Sequence, residues 1–367
     1  MSLRIERATA NDAPGVQALN QRLRDGRGGY RLPEEPEFFR PSPPRTVPVW
    51  HEFFVAQDQD AVRGGYLLKR EPLRIGCSAL ELWNYQLPVS EGIVNRAYAT
   101  VGIQLLQDAM KRSELLYCLG MGSLKRPLPR LLSRFHWSVE SVPFFFRVIH
   151  SSGFLNNRYL LERRGGAMLI SLARYSGLGA LATCTWRLAS RVRQPELPHG
   201  LVIEEPPSFG TGLDVFFLEV QQRYGALVER TAAVLNARYP HTDARLIRLV
   251  VRRAGKIIGW LVLTRNDLHD HKQFGSMRLG CIVDGLCDPE MAPVMIRLGT
   301  DRLIAERVDL IVSNQTHMAW TAGLRRCGFV SGPSNFIFAR SPALTARTPR
   351  LEEWHMNRGD GDGPINL

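Results

Sequence analysis

The sequence predicts two α/β domains in tandem. Three observations carry that expectation: its length, two blocks with the same order of strands and helices, and an arginine-rich stretch between them. The 367 residues suit two domains of about 150 residues each, with a connector and a tail to spare. A chain 44% hydrophobic and 22% charged has the material for buried cores. The expected organisation is a domain over 1–150, a basic helical connector over 151–198, a second domain over 199–345 and a tail over 346–367.

The first block opens on a short alternating strand, Leu3 to Arg7. A helix follows, capped by Asn11 or Asp12, with Val16, Leu19 and Leu23 on one face. Residues 25–48 are rich in Gly, Pro and Arg and read as a loop. Phe53 to Gln57 and Ala61 to Lys69 form a hairpin around the polar turn Asp58-Gln59-Asp60. A strand from Ile75 to Leu87, a helix from Tyr98 to Arg112 and a buried strand from Leu115 to Leu119 come next. A helix from Pro127 to Phe135 and a closing strand from Phe144 to Ile149 complete the block.

The second block repeats the plan. A helical stretch from Leu213 to Asn236 precedes strands at Leu246 to Arg252, Lys256 to Leu263 and Met277 to Val283. A helix from Ala292 to Arg307, a strand from Leu310 to Ser313, a helix from His317 to Cys327 and a strand from Asn335 to Ala339 follow. The same order in both blocks points to a duplication.

Composition narrows the function classes. The six cysteines are scattered with no CxxC pair, which favours neither a zinc site nor a disulfide framework. Met1 to Asn11 lacks the apolar core of a signal peptide. No apolar run reaches the roughly 18 residues of a spanning helix. A cytoplasmic location is the expectation. The net charge of +12 invites nucleic acid or an anionic membrane. Eight arginines against the single acid Glu162 lie between Arg147 and Arg193, so more than half of that excess sits in the connector. Basic residues interleaved with aromatics on a nucleic-acid module are not found. A solvated connector, or one in peripheral contact with anionic lipid, fits this placement.

The segment Asn314-Gln-Thr-His-Met-Ala-Trp-Thr-Ala-Gly-Leu-Arg-Arg-Cys-Gly328-Phe329 places a capping Asn before a helix and a left-handed Gly after it. With the order of elements, it resembles the late segment of the GNAT acyltransferase superfamily, and Gly122 to Trp137 resembles it in the first block. That resemblance implies tandem GNAT-like domains, each a mixed sheet flanked by helices, with acetyl-CoA or another acyl-CoA as co-substrate. In the family a Gly- and Arg-rich turn after the fourth strand presents backbone N–H groups to the coenzyme A pyrophosphate. In this chain the matching turn is degraded. Gly102 fits the last position, Thr100 stands for the earlier Gly, Ala97 for the leading Arg or Gln, and Arg96 one residue away could supply the cation. The cofactor candidates are Val94, Asn95, Arg96, Tyr98, Thr100, Val101, Gly102 and Ile103. In the second block Asp284 to Pro293 carries two prolines and several carboxylates, and the site there looks lost.

Acyl transfer to an ammonium needs a base, and the departing thiolate needs a proton. Glu81 stands where the family often has a carboxylate, and strand alternation puts it on the face of Trp83 and Tyr85. A partly desolvated carboxylate is expected there. The family's tyrosine acid would fall at Leu132 or Leu324. That role is vacant, with Tyr85 and Tyr98 as substitutes. His269-Asp-His271 with Asp267 reads as a polar loop and not a metal site. The ending Arg358 to Pro364 reads as a turn or flexible end, although its carboxylate spacing approaches a calcium loop. Endings like it are similar to those of GNAT-like proteins of bacterial surface-polysaccharide or peptidoglycan-precursor biosynthesis. The expected function is acyl-CoA-dependent N-acylation of a small amine, such as an amino sugar or cell-envelope intermediate. Two alternatives stand beside it: an inactive GNAT-fold scaffold, and a Fem-type transferase that uses aminoacyl-tRNA and would therefore bind nucleic acid.

Overall fold

A computed structural model describes residues 3–41, 47–76, 78–150, 194–271 and 274–361. The basic connector falls almost wholly outside the described residues. The chain divides into two compact units. One comprises Met1–Arg74, Ser78–Ser141 and Ile337–Thr348, and the other Ile75–Cys77, Val142–Phe336 and Pro349–Leu367.

The sheet of the first unit is built from β1 (Arg4–Arg7), β2 (Trp50–Asp58), β3 (Ala61–Ile75), β4 (Ser78–Ser90), β5 (Leu116–Leu119) and β6 (Ser138–Ser141). The expected hairpin is β2 and β3, paired antiparallel about the predicted turn. Alternation sends Phe53, Val55 and Leu67 to one face, where they pack on α1 (Ala13–Asp25) through Val16, Leu19 and Leu23. Phe54, Tyr66, Leu68 and Tyr85 go to the other face, under α2 (Val101–Arg112) and α3 (Pro127–Arg134). Strand β4 runs parallel to β5.

The second unit uses β7 (Phe144–Val148), β8 (Leu201–Glu204), β9 (Ala226–Val228), β10 (Leu246–Arg253), β11 (Lys256–His271), β12 (Gly275–Cys287), β13 (Leu310–Asn314) and β14 (Val330–Gly332). Its sheet is ordered β14-β7-β13-β12-β11-β10-β8. The strands β10, β11 and β12 are antiparallel and β12 runs parallel to β13, as in the first unit. The helix α6 (Ala292–Ala305) stands where α2 does, and α7 (Met318–Arg326) where α3 does.

Three expectations need correction. The closing strands are exchanged: β7 lies antiparallel to β13 in the second sheet, and β15 (Ile337–Arg340) lies between β5 and β6 in the first. The stretch 213–236 is not one helix but α4 (Gly212–Val220), strand β9 and α5 (Ala232–Arg238). A Cβ at Gly225 would sit 2.9 Å from Pro349, and this close approach admits the pairing of β9 with β16 (Trp354–His355). Finally, α7 is capped by His317, whose Nδ1 accepts the Ala319 N–H at 3.3 Å. Asn314 ends β13 instead, donating to the Pro143 carbonyl at 3.4 Å. Gly328 does take the left-handed conformation, at φ 80°. A last helix, α8 (Pro342–Arg347), follows β15.

Candidate active site

Each unit contains a fork where its two parallel strands part. In the first, β4 and β5 are in register only at Trp83↔Leu116 and Asn84↔Tyr117. Beyond that, Cys118 and Leu119 pair with Ala339 and Phe338 of β15. Leu87 of β4 has φ 45°, a left-handed conformation costly for a branched side chain. It reverses the alternation, so that Tyr85 faces α2 while Val89 faces α1. At the apex the Cys118 thiol donates to the Tyr85 carbonyl at 2.9 Å.

From the end of β4 the chain makes two short 3-10 turns, Glu91–Ile93 and Arg96–Tyr98, before α2 begins. Buried Glu91 takes Arg22 at 3.0 Å and Arg63 at 3.1 Å, and the Arg63 guanidinium lies 4.3 Å over the Tyr98 ring. These contacts fasten the turn to α1 and β3. The N–H groups of Val94, Asn95 and Tyr98 are spent on carbonyls of the turn itself, and that of Ala97 on the Asn95 side chain. The start of α2 is different. The Thr100 side chain does not cap it, and Ile103 turns its N–H back to the Thr100 carbonyl. First-turn N–H groups lack partners within the helix; Val101 is fully buried, so only the half-buried Gly102 can offer such a group toward solvent. A Cβ at Gly102 would meet nothing nearer than Ser90 Cβ at 3.9 Å, so packing does not require glycine and the space above it is open. Arg96 is exposed alongside. The donor set a pyrophosphate would meet is the Gly102 N–H at a helix N-terminus with one cation beside it.

Glu81 and Trp83 share a face, and the indole N–H reaches the carboxylate at 3.2 Å. The expected desolvation is absent, for Glu81 is exposed and pairs with Arg70 at 3.7 Å. Tyr85 is buried against the Tyr66 ring, centroids 5.2 Å apart, and its hydroxyl has no partner. Burial, with Cys118 beside it, pushes this phenol well above its usual range. Sequence reasoning missed a cluster on the opposite face. The Lys69 ammonium lies 2.6 Å from the fully buried Glu71, which also accepts the Tyr117 hydroxyl. His51, opposite Lys69 in register, is pushed down to about 4 by burial and by Lys69. The signal was alternation: Lys69 and Glu71 continue the apolar face of Leu67.

The fork of the second unit is filled. Strands β12 and β13 pair from Leu279↔Leu310 to Ile282↔Ser313, and Val283 is bulged against β11. Into the gap comes the tail. His355 Nε2 donates to the Gly285 carbonyl at 2.6 Å, Gln315 bridges Asn357, and Thr316 N–H reaches the Met356 carbonyl at 3.0 Å. The segment Trp354 to Asp360 is buried except for Arg358, and so is no flexible end. Asp360 is held by Arg230 at 2.7 Å and Arg238 at 3.0 Å. Arg230 also pairs with Asp284 at 3.1 Å. Tyr239 and Asn357 donate to Asp284 as well. Asp360 is thus spent on guanidiniums. Asp267 likewise pairs with Arg265 and Arg278, and 267–271 belongs to β11, not a loop.

No family model matches the sequence, and no curated protein matches it. Among solved structures the chain is similar to a probable N-acyltransferase from Enterococcus faecalis V583, at TM-score 0.55 and 9% identity over 94% of this chain and 74% of that one. It is similar to Saccharomyces cerevisiae N-myristoyltransferase, solved with myristoyl-CoA and inhibitors, at TM-score 0.51 and 12% identity over 98% and 86% of the two chains. A GCN5-related N-acetyltransferase from Anabaena variabilis ATCC 29413 matches at TM-score 0.50 and 11% identity over 93% and 73%. Identities this low establish architecture only. The chain has the fold of the GNAT N-acyltransferases, with two GNAT-like sheets, each carrying its own fork.

Proposed function

We propose that the chain is an acyl-CoA-dependent N-acyltransferase that uses the fork of the first unit. One observation carries the reading. Among the described residues no strand pairs with β4 on its β5 side beyond Asn84, and that edge leads to the uncapped start of α2, whereas at β12 the tail reaches the Gly285 carbonyl through His355. The structural neighbours, one of them solved with myristoyl-CoA, support the acyl-CoA part of this reading. Gly102 would hold the pyrophosphate by its N–H group and Arg96 by its charge, with Val94, Asn95, Tyr98, Thr100, Val101 and Ile103 forming the surrounding wall. The co-substrate supplies an acyl group activated as a thioester. Glu81 takes protons from the acceptor ammonium and, being exposed, hands them to water. Tyr85 lines the fork. The acceptor in this reading is a small amine, an amino sugar or cell-envelope intermediate. A cytoplasmic setting, with the arginine-rich connector near anionic lipid, belongs to the same proposal.

Calorimetry on the full chain tests it, because residues 1–150 alone would lack β15. Coenzyme A should bind, and Arg96→Ala should weaken binding by about 1–2 kcal/mol, the scale of a charge-assisted hydrogen bond. Glu81→Gln should lower turnover by about 10²-fold and leave that affinity unchanged. A folded chain that ignores millimolar coenzyme A rules the reading out. Binding without turnover on any amine reduces it to a binding module.

A further inference from the structure

We infer that the open end of the first fork is a docking surface for anionic lipid. This surface is distinct from the connector, and docking through it does not require that a thioester enter the fork.

Topology sets the position. Strands β4 and β5 are parallel, so the segments that follow them leave the sheet at the same end. There the turns after β4 lead into α2, and the loop after β5 leads into α3. The chain beyond α1 is fastened to the same place. A Cβ at Gly26 would lie 2.5 Å from the Val94 side chain, and one at Gly28 3.3 Å from it.

The apolar surface of the first unit is gathered at this end. Among its described residues the exposed large apolar side chains are Tyr30, Leu87, Ile93, Ile103 and Leu124, each between 38% and 51% exposed. Tyr30 follows α1, Leu87 is near the end of β4 and Ile93 is in the turn after it. Ile103 is in the first turn of α2, and Leu124 is in the loop before α3. A single exposed Ile or Leu is ordinary, but a gathering at one end of a unit marks a contact surface.

Charge identifies the partner. From Ile93 to Arg134 the chain carries seven cations and two acids. Both acids are spent, Asp108 on Arg112 at 2.7 Å and Glu114 on Arg347 at 3.3 Å. Glu91, just before this stretch, is buried between Arg22 and Arg63. Exposed Arg27, Lys125, Arg126 and Arg130 have no carboxylate partner among the described residues. The partner is therefore anionic and offers apolar volume. The five apolar side chains stand singly on separate segments with cations between them. A protein interface needs a packed apolar core with its charges at the rim, whereas a bilayer takes single anchors between cations and needs no matching shape. Arg96 and Gly102, at the start of α2, remain for the pyrophosphate of the acyl-CoA reading. A fork that opens on a bilayer meets long-chain thioesters where they concentrate.

Cosedimentation of the full chain with vesicles tests the inference. One set is phosphatidylcholine alone, and the other is phosphatidylcholine mixed equally with phosphatidylserine. The wild type should bind the mixed vesicles, and added salt should weaken that binding. Changing Arg27, Lys125 and Arg126 together to Gln should lower the affinity about 10²-fold. Changing Ile93 and Leu124 together to Ser should lower it about tenfold, with little dependence on salt. Both variants should melt as the wild type does, because the altered side chains are exposed. A control chain has the connector residues Arg163, Arg164, Arg191 and Arg193 changed to Gln. Wild-type affinity in either variant of the fork overturns the inference. If the connector control alone loses binding, the contact belongs to the connector. Equal affinity for both kinds of vesicle, or none for the mixed ones, also overturns the inference and leaves an acidic protein as the partner for this charge. Coenzyme A calorimetry judges the acyl-CoA reading separately in every case.

Discussion

Replacing Asp360 by Asn tests whether the tail is a structural part of the second unit. The carboxylate is fully buried and bonded to Arg230 at 2.7 Å and Arg238 at 3.0 Å, and it accepts the Asn357 N–H at 3.0 Å. The amide keeps the shape and one acceptor but leaves two buried guanidiniums short of an anion, with only Asp284 remaining for Arg230. Breaking a buried pair in this way costs about 3–5 kcal/mol. For a unit of this size that corresponds to a fall of about 10 °C in its melting temperature. The assay is thermal unfolding, with hydrogen exchange at the Thr316 and Met356 amides, which bond across the tail. The exchange should speed up before global unfolding if the tail leaves its fork first. Burial alone would raise the Asp360 carboxyl, but Arg230 and Arg238 outweigh it and hold the group below its usual range. Its contribution is therefore complete above the unfolded carboxylate value of about 3.9 and is lost as pH falls through the lower folded value. A melting temperature within about 2 °C of wild type at neutral pH would refute the reasoning, since it would mean that the guanidiniums find equal partners without the carboxylate.

Two further outcomes concern stability. Burial pushes His51 and His317 each down to about 4, so both are neutral in the folded chain at neutral pH. Their unfolded value is about 6.5, so stability should be complete above that pH and fall by about 2–3 kcal/mol per histidine as pH drops toward 4. Urea midpoints measured at pH 7 and 4.5 check this, and a chain with both histidines changed to Gln should lose less over the same interval. Tyr85→Phe removes a buried hydroxyl that has no partner. It should leave stability unchanged or raise it by about 1 kcal/mol in urea unfolding, and a loss of that size would reveal a bond the geometry does not show.

Periodicity and turn chemistry made most of the elements legible. The Asp58–Asp60 turn, the amphipathic α2 and the left-handed Gly328 are local signals, and each is where the sequence puts it. The exchange of β7 and β15 is not local. Phe144–Val148 and Ile337–Arg340 are short apolar strands of similar character, and nothing in either says which parallel strand it will lie beside. The same limit hid the role of the ending. Asp360 meets Arg230 from 130 residues away, so a run of Gly and Asp read alone looks like a turn or a calcium loop.

The site divides along the same line. The turn after β4 could be found from its spacing, because an anion-binding helix start is built from consecutive residues. The Lys69–Glu71–Tyr117 set joins two strands that are neighbours only through β4, and in the sequence Lys69-Arg-Glu71 looks like the charged end of a strand. The duplication sharpens the contrast between the two forks. In the second unit a bulged strand parts from its parallel partner much as β4 does, and there the tail supplies the backbone partners that the gap would otherwise lack. A fork of this kind leaves strand edges whose N–H and C=O groups must be met by something. In the second unit the chain meets them itself. In the first unit no strand does so on the β5 side of β4 beyond Asn84 among the described residues, so the proposed thioester, with its own amide groups to pair, would lie along β4 and not along β12.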